Sequence, residues 1–394
     1  MIPRLKPQLG LAELFAALRL SGADDLTQFE AAFARLMGQA EAIAFPYGRT
    51  GLMLLLQAMG LRDRDIICPA YTCVVVPHAI VHSGNTPVFV DCASGDFNMD
   101  LEAAEASVSN RTGAVIATSI FGYPVNLDRI DAFKAKHPDI IVIQDCAHSF
   151  AAEWRGRPVQ REGAAAVFGL NISKILCSVF GGMITTDDLA MAQRLRTLRN
   201  EKLTPPSLTK SARRLAYLLA VYPTFWDAIY GAVNRLERSG LLNRFTTYYD
   251  DTVIDMPVDH LEAMCKIEAR VGLANISRYA EAIARRRAAA SFYFDNLKTR
   301  PDFVLPPQVK GATYSHFVVR VSDRQKWLSL GLDRGAQLGQ LIEYNIPEMQ
   351  AYGAHPAEAF PVAAEYARST INLPVWGGEP VARKTLHSLG QWDD

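Results

Sequence analysis

Two segments of the chain carry residue types that suit covalent chemistry on a bound aromatic ring. Asp145 follows an apolar, strand-like run, and Lys174 lies after a second such run and ahead of Gly181 and Gly182. A carboxylate at a strand end can keep a pyridine nitrogen protonated, so that the ring accepts electrons from a carbanion. A lysine in the second position can form a Schiff base with an aldehyde and later move a proton. Pyridoxal phosphate (PLP) needs both groups, and we expect Lys174 to carry it.

Each of these residues also has an ordinary structural explanation. Asp145 could cap the N-terminus of a helix, where aspartate is favoured, and a lysine such as Lys174 is most often a solvated surface residue. His148, three residues after Asp145, could hydrogen-bond the phenolic oxygen of the cofactor or lie over its ring. The order and spacing of the segments favour the cofactor site.

A glycine-containing turn at residues 47–51 (Tyr-Gly-Arg-Thr-Gly) opens a segment in which leucines recur at helical spacing. Backbone N–H groups at the start of a helix bind phosphate, and the helix dipole favours the negative charge. We therefore expect Gly48, Arg49 and Thr50 to bind the cofactor phosphate through amides, a guanidinium and a hydroxyl. The alternative is a Gly/Thr turn with an exposed arginine.

The elements that would position these residues alternate between strand and helix from residue 50 to about residue 200. The predicted strands are short and apolar without polar alternation, which favours an α/β fold with a mainly parallel central sheet and helices on both faces. In such sheets ligands bind beyond the carboxyl ends of the strands, where we expect Asp145 and Lys174. The predicted strands span residues 65–68, 87–91, 113–118, 140–144, 164–169 and 183–186, with a helix over 127–137.

The length of 394 residues allows two domains and a substantial core. Residues 1–200 are predicted to form a large PLP-binding domain with an N-terminal arm. Residues 201–257 form a helical, aromatic-rich insertion that could be a substrate lid, extend a dimer interface, lie on a membrane surface or pack on the protein itself. Residues 258–394 are predicted to form a long helix and a smaller C-terminal α+β domain. Its predicted elements are the helix over 258–297, a strand over 316–321 and a helix over 324–332.

The composition argues against several other classes of protein. The chain has 41 basic and 41 acidic residues, so its charge favours neither nucleic acid nor an anionic membrane. It contains no uninterrupted apolar run long enough to span a bilayer, and the N-terminal segment with Pro3 and Pro7 is not predicted to be a signal peptide. The six cysteines show no CxxC spacing, which predicts reduced, buried thiols in a cytoplasmic protein and no zinc site.

Further segments share their order with one known family. They are Phe29-Glu30, the Gly60 turn, residues 68–72, 84–91, 121–124 and 152–156, besides the segments around Asp145 and Lys174. Over residues 2–200, and again over 258–375, the chain resembles the DegT/DnrJ/EryC1/StrS sugar aminotransferases. The resemblance implies the fold type I architecture of PLP enzymes and a homodimer with shared active sites. It also implies an amino sugar on a nucleotide carrier as product, with glutamate as the usual amino donor.

The resemblance assigns roles to four of these positions. Lys174 matches the Schiff-base lysine, Asp145 the aspartate at the pyridine nitrogen, and Gly48 the glycine of the phosphate loop. His148 matches a position near the phenolic oxygen that is usually Gln.

Three phosphate contacts that are usual in the family are replaced in this chain. Arg49 stands in place of Thr, Gly169 in place of Ser, and residues 261–264 (Leu-Glu-Ala-Met) in place of Asn-x-Arg-Met. We infer that Arg49 compensates, because its guanidinium supplies charge and two donors, and that Asn171 and Ser173 assist it.

The surroundings of the ring and the substrate also depart from the family. Cys73 stands where an aromatic ring usually stacks on PLP, so Tyr71, Phe121 or His148 is expected to cover the ring instead. Residues 179–180 (Val-Phe) replace a Gly-Glu pair that lies near substrate in the family. The remaining candidates near substrate are Glu343, Tyr344 and Asn345.

Three hypotheses about function follow. The first is a PLP-dependent aminotransferase that transfers an amino group, from glutamate, to a nucleotide-linked keto-sugar for surface polysaccharide or a glycosylated metabolite. The second is a PLP-dependent sugar dehydratase, but relatives of that type have replaced the lysine with His, and Lys174 is present here. The third is a non-catalytic, ligand-sensing protein with the same fold, and this protein would stay colourless with PLP.

Overall fold

The computed structural model describes residues 1–19, 22, 24–238 and 250–390 of the chain. Part of the predicted insertion, residues 239–249, therefore lies outside the described residues. The strands are β1 Glu41–Phe45, β2 Asp65–Pro69, β3 Thr86–Val90, β4 Thr112–Thr118, β5 Ile141–Asp145, β6 Glu153–Trp154, β7 Arg157–Pro158, β8 Ala165–Gly169, β9 Gly182–Thr186, β10 Phe317–Arg320 and β11 Thr370–Leu373.

The α-helices of the described residues are distributed along the whole chain. They are α1 Leu11–Leu18, α2 Asp25–Met37, α3 Gly48–Ala58, α4 Val75–His82, α5 Leu101–Ala106, α6 Leu127–Lys136, α7 Leu189–Lys202, α8 Leu208–Val221, α9 Asp227–Arg238, α10 Lys266–Asn275, α11 Tyr279–Leu297, α12 Arg324–Asp333, α13 Pro361–Ser369 and α14 Glu379–Ser388.

Seven strands form the central sheet, in the order β1-β9-β8-β5-β4-β2-β3. The pairs β2–β3, β2–β4, β4–β5 and β5–β8 are parallel, whereas β9 runs antiparallel to both β1 and β8. The predicted mainly parallel sheet is confirmed, with its strand boundaries correct to within a residue or two. The sequence prediction missed β1, which closes one edge of the sheet.

Both faces of the sheet are covered, as the unbroken apolar strands predict. On one face, Phe33 of α2 packs edge-on against Phe168 of β8, with ring centroids 5.2 Å apart. On the other face, Leu55 of α3 lies in one buried cluster with Ile184 of β9. Neighbouring residues of a strand point to opposite faces, so Val142 and Ile143 belong to different clusters.

The helix predicted over residues 258–297 is broken in the structure. Residues 258–265 are not helical; α10 begins only at Lys266, and a 3₁₀ turn at Ile276–Arg278 separates it from α11. The backbone of the first segment is paired elsewhere, because Thr204 donates to the carbonyl of Leu261 at 2.8 Å and Ala263 donates to the carbonyl of Thr204 at 2.8 Å. The prediction was therefore wrong over 258–265, where contacts with the insertion override local helix propensity.

The described part of the insertion consists of α8, a 3₁₀ turn at Tyr222–Phe225 and α9. Helix α8 packs on the protein through Leu218, which is 1% exposed, whereas Trp226 before α9 is 52% exposed. Among the described residues, no helix combines the length and apolarity that crossing a bilayer requires. Contact with a membrane surface stays a prediction.

The C-terminal elements form a small α+β unit around the antiparallel pair β10–β11. Its strand and its helix α12 confirm the elements predicted at 316–321 and 324–332. Phe317 and Tyr366 of this unit share one buried cluster with Tyr71 and Phe121, so the core is continuous with the large domain. The division into domains at residues 200 and 257 stays a prediction.

Candidate active site

Asp145 is the last residue of β5 and lies at the carboxyl edge of the parallel strands. It pairs in register with Thr118 of β4 and Val167 of β8. Its carboxylate accepts hydrogen bonds from the Ala147 N–H at 3.0 Å and from the Thr118 hydroxyl at 3.3 Å. Burial raises the pKa of Asp145, while the Ala147 N–H and the charge of Lys174 act against that rise. The carboxylate is thus fixed at the site where a ligand is expected.

Lys174 lies in the turn that follows β8, beside the same strand end. A Cβ added at Gly169 would lie 3.1 Å from Cε of Lys174, so the lysine side chain passes directly over this glycine. Burial lowers the pKa of Lys174, although the nearby Cys73 and Asp145 act to raise it. The packing therefore explains why residue 169 is a glycine, because a larger side chain would crowd the lysine.

Asn171 and Ser173 build the turn that carries Lys174. The Asn171 side-chain oxygen accepts from the Ser173 N–H at 3.0 Å and from its hydroxyl at 2.6 Å. The Lys174 N–H donates to the Asn171 carbonyl at 3.0 Å. An Asx turn of this kind replaces regular secondary structure. In this structure the two side chains hold each other and fix the position of the lysine.

His148 is buried beside Lys174, and its ring lies nearly parallel to that of Phe121, with centroids 6.0 Å apart and planes at 13°. Its Nδ1 accepts from the Phe121 N–H at 3.3 Å. Burial, together with the charges of Lys174 and His316, holds the pKa of His148 well below its usual value. The ring is therefore neutral, and because Nδ1 accepts, we assign its proton to Nε2, which can donate to an oxygen.

His316, just ahead of β10, is a site residue that sequence reasoning missed. Its ring centroid lies 5.3 Å from that of His148, and the Ser315 hydroxyl lies 3.1 Å from its Nδ1. Burial and the charges of Lys174 and Arg286 lower the pKa of His316 to about 3. Sequence reasoning placed residue 316 only within a strand, and the fold alone brings it to His148.

The turn expected to bind phosphate begins α3 and lies directly against β8 and β9. The first helical hydrogen bond runs from the Gly51 N–H to the Tyr47 carbonyl at 3.1 Å, so the amides before Gly51 have no partner within the helix. A Cβ at Gly182 would lie 2.3 Å from the Gly48 nitrogen, and one at Gly48 would lie 3.2 Å from the Phe168 carbonyl oxygen. This close approach brings the turn and the end of β8 together.

The side chains of Arg49 and Thr50 have partners at the end of the insertion and just after it. Nη1 of Arg49 lies 3.8 Å from a carboxylate oxygen of Asp255. The Thr50 hydroxyl is buried and donates to the His260 carbonyl at 3.2 Å. The structure thus leaves the Arg49 guanidinium in a loose ion pair but engages the only proton of the Thr50 hydroxyl.

Tyr71 lies in a buried core with Phe121 and Tyr366. It is fully buried, and its hydroxyl lies 3.2 Å from both the Ile342 carbonyl and the Thr370 hydroxyl. Phe121 is also buried, behind the ring of His148. Of the three rings considered to cover the cofactor, His148 is therefore the best placed.

Tyr344 reaches the loop that contains Cys73. Its hydroxyl accepts from the Val74 N–H at 3.1 Å, and Ile346 donates to the Ala70 carbonyl at 3.2 Å. Asn345 is buried, and its amide donates to Glu348 at 3.2 Å. The segment 342–346 therefore runs beside the loop after β2, and Tyr344 holds that loop in place.

Two relatives and one solved structure show what the chain is similar to. It is 30% identical to a GDP-perosamine synthase of Caulobacter vibrioides over 72% of this chain, a match that spans only 65% of that relative's length. It is 27% identical to the spore coat polysaccharide biosynthesis protein SpsC of Bacillus subtilis over 91% of this chain and 86% of SpsC. The sugar aminotransferase CalS13 of Micromonospora echinospora has the same fold, with a TM-score of 0.77, 22% identity and 100% of both chains covered.

The match to one protein family extends over most of the chain and leaves out only residues 216–226 of the insertion. It covers residues 13–215 and 227–379, and so includes Asp145, His148 and Lys174. The chain belongs to the DegT/DnrJ/EryC1/StrS aminotransferase family.

Proposed function

We propose that the protein is a PLP-dependent aminotransferase that transfers an amino group, from glutamate as the expected donor, to a nucleotide-linked keto-sugar. The observation that carries the proposal is the juxtaposition of Lys174 and Asp145 at the ends of β8 and β5. The family of the chain and the names of its relatives support amino transfer to a sugar and a role in polysaccharide synthesis.

The polar groups of the site match the chemical groups of PLP. Asp145 offers a buried carboxylate for the pyridine nitrogen, and Nε2 of His148 offers a donor for the phenolic oxygen. The first turn of α3, with Arg49, offers amides and a cation for the phosphate. Gly169 leaves the space above the strand end to Lys174. The donor set therefore fits the cofactor.

When bound, PLP supplies an aldehyde carbon that takes up the amino group and a ring that accepts electrons. Lys174 has a lowered pKa, so a larger fraction of its amine is neutral and able to attack a carbon or take a proton. When ionised, Asp145 would keep a proton on the ring nitrogen; burial raises the pKa of its carboxyl, and the Ala147 N–H and the charge of Lys174 oppose that rise. His148 stays neutral and orients the ring through its Nε2 proton.

The finer parts of the proposal come from the family resemblance and the composition. We infer a homodimer with shared active sites, located in the cytoplasm, in which all six cysteines are free and five of them are buried. The segment Val179–Phe180 lies beside the phosphate turn, since Gly181 pairs with Tyr47. Val179–Phe180 is apolar, whereas the family has a Gly-Glu pair at these two positions.

The decisive experiment uses the full chain loaded with PLP. We expect an absorbance band of the bound cofactor that borohydride removes, with the cofactor then fixed on the peptide that contains Lys174. Lys174→Ala should abolish this adduct and lower amino transfer from glutamate to a 4-keto sugar by about 10²–10⁴-fold or more.

Lys202→Ala is the matched control, since Lys202 is an exposed lysine at the end of α7 and should leave the adduct intact. A Lys174→Ala protein that still turns over would contradict the proposal. A deoxy-keto product would indicate a dehydratase instead, and a protein that stays colourless with PLP would indicate a non-catalytic role.

A further inference from the structure

Helix α8 of the insertion contacts two walls of the proposed cofactor site at once. The Arg214 guanidinium lies 4.1 Å from the ring centroid of Phe180 and 5.6 Å from that of Tyr47. Tyr217, one turn further along α8, places its ring 4.9 Å from that of Phe180. Phe180 follows the lysine turn, and Tyr47 is the first residue of the phosphate turn.

The contact with Tyr47 is a buried hydrogen-bond network centred on Arg214. One amino group of Arg214 donates to the Tyr47 hydroxyl at 2.8 Å and to Asp259 at 2.7 Å, and Tyr47 donates to Asp259 in turn. Nε of Arg214 donates to Glu268 at 2.9 Å. Arg214 is 8% exposed and Glu268 is fully buried, whereas the side chain of Asp259 is 24% exposed, so the network is largely buried and its geometry is specific.

Lys210, one turn before Arg214, extends the same network. Its ammonium donates to the Glu262 carbonyl at 2.7 Å and lies 3.7 Å from the Asp259 carboxylate. Burial acts to raise the pKa of Asp259, but the hydrogen bond from Tyr47 and the charges of Arg214 and Lys210 together hold that pKa below its usual value. The Asp259 carboxylate therefore stays ionised and keeps its partners.

Tyr47 transmits this network to the phosphate turn. It occupies the N-cap position of α3 with extended backbone, and its own side chain makes no cap hydrogen bond. Its backbone pairs with Gly181, and its carbonyl accepts the first hydrogen bond of α3. The hydrogen bonds of the Tyr47 hydroxyl therefore fix the first residue of the phosphate turn. This in turn positions the N–H groups before Gly51, which have no partner within the helix.

The segment that contains Phe180 also includes a strained residue, Val179, which α8 helps to hold in place. Val179 has φ of +74°, a left-handed conformation that a β-branched side chain rarely adopts. It is fully buried, and it clusters with Leu218 of α8 and Val271 of α10. Strained residues persist where their surroundings over-determine them, and they cluster at functional sites.

We propose that Arg214 is a positioning residue that couples the insertion to the cofactor site, holding Tyr47 and Phe180 so that the phosphate turn is preformed for PLP. The inference rests on the proposed function. The alternative is that the network only anchors α8 to the protein, in which case its loss would lower stability without changing cofactor affinity. The two cases differ in the dissociation constant of PLP measured well below the unfolding temperature.

The sharpest variant is Tyr47→Phe, which keeps the ring against Phe180 and removes only the hydroxyl. We expect the dissociation constant of PLP for the apoprotein to rise about tenfold, with faster cofactor release, since the lost hydrogen bonds are to charged partners. Tyr293→Phe is the matched control, because the buried Tyr293 hydroxyl donates to the Pro374 carbonyl at 2.7 Å in the small domain. It should lower stability comparably and leave PLP affinity unchanged.

Arg214→Met tests the network itself, with Arg213→Met as control, since Arg213 is exposed on the same helix. We expect Arg214→Met to weaken PLP binding more than Tyr47→Phe and to lower the melting temperature of the apoprotein, because it removes the cation that pairs with the buried Glu268 carboxylate. If it fails to fold, Tyr47→Phe decides. If Tyr47→Phe binds PLP with an affinity within twofold of wild type, the inference is overturned but the proposed function is not. A wild-type chain that binds no PLP would overturn it together with the proposed function.

Discussion

At the scale of single residues, the properties of the site come from burial at the ends of adjoining strands. Burial favours the neutral form of every ionisable group, so it raises the pKa of Asp145 and lowers the pKa of Lys174 and His148. The charge of Lys174 opposes the rise in the pKa of Asp145, and the charge of Asp145 opposes the fall in the pKa of Lys174. A site built in this way holds a neutral imidazole near neutral pH and raises the neutral fraction of the lysine amine, which favours proton transfer at a bound ring.

His316 makes one of these effects measurable as stability. Its pKa is about 3 in the folded chain against 6.5 for an ordinary histidine, so between these values the unfolded chain holds a proton that the folded chain lacks. The free energy of unfolding should therefore fall as the pH is lowered through this window. His148, whose pKa is also lowered, acts in the same direction, whereas Asp145, whose pKa is raised, acts in the opposite one.

We accordingly expect His316→Gln to make the stability of the apoprotein less sensitive to acid. Urea unfolding of wild type and variant at intervals between pH 4 and pH 7 provides the measurement, compared as the difference between the two curves. His82→Gln is the control, since His82 is exposed at the end of α4. Parallel curves for His316→Gln and wild type would contradict the assigned shift.

At the scale of elements, the antiparallel strand β9 decides how the phosphate turn meets the lysine turn. β9 lies between β1 and β8, and Gly182 pairs with both Phe45 and Gly169. A glycine is required at 182 because the start of α3 crosses it at 2.3 Å from the position a Cβ would take. Through Gly182, strand β9 thus positions both the phosphate turn and the end of β8, from which the lysine turn starts.

Gly182→Ala should move the phosphate turn away from the lysine turn. The added methyl group must displace the backbone of Gly48, and we expect a loss of about 1–3 kcal/mol of unfolding free energy together with weaker PLP binding. The measurements are urea unfolding of the apoprotein and PLP titration. Gly231→Ala in α9 is the control, since no described atom lies within 4 Å of a Cβ added there, and it should be neutral or stabilising. Unchanged PLP affinity in Gly182→Ala would refute this view of β9.

At the scale of the whole molecule, the central sheet region and the C-terminal α+β unit share one buried core. Phe317 of β10 lies within 5.0 Å, centroid to centroid, of Tyr293 and of Phe294 on α11. Tyr71 of the large domain packs edge-on against Tyr366 of α13 at 5.8 Å. Because His316 adjoins Phe317, the packing of the small domain also sets the position of a ring in the candidate active site.

Phe317→Ala should consequently destabilise the chain as one unit. We expect a loss of about 3–5 kcal/mol and a single unfolding transition, seen at the same urea concentration by circular dichroism and by tryptophan fluorescence. Phe15→Ala is the control, since Phe15 is 67% exposed on α1 and should change stability by about 0.5 kcal/mol or less. Two separate transitions in the Phe317 variant would show that the domains unfold independently.

Local patterns were sufficient to predict most strands of the central sheet. An unbroken apolar run such as residues 140–143 (Ile-Ile-Val-Ile) indicates a strand buried on both faces, whatever its partners are. The same rules failed over residues 258–265, because that segment pairs its backbone with Thr204, and this contact is not encoded nearby in the chain. They also missed β1, whose residues are assigned as a strand only through their pairing with β9.

The sequence by itself determined which residues could perform the chemistry: Asp145 and Lys174 at strand ends, His148 beside them, and Gly48 at a helix start. These assignments depend on residue type and short-range order, which a chain carries without its fold. The tertiary structure alone decided that Gly169 makes room for Lys174 and that Tyr71 is occupied in the core. It alone brought His316 and Arg214 to the site, because contacts between segments far apart in the chain are fixed by packing and not by local pattern.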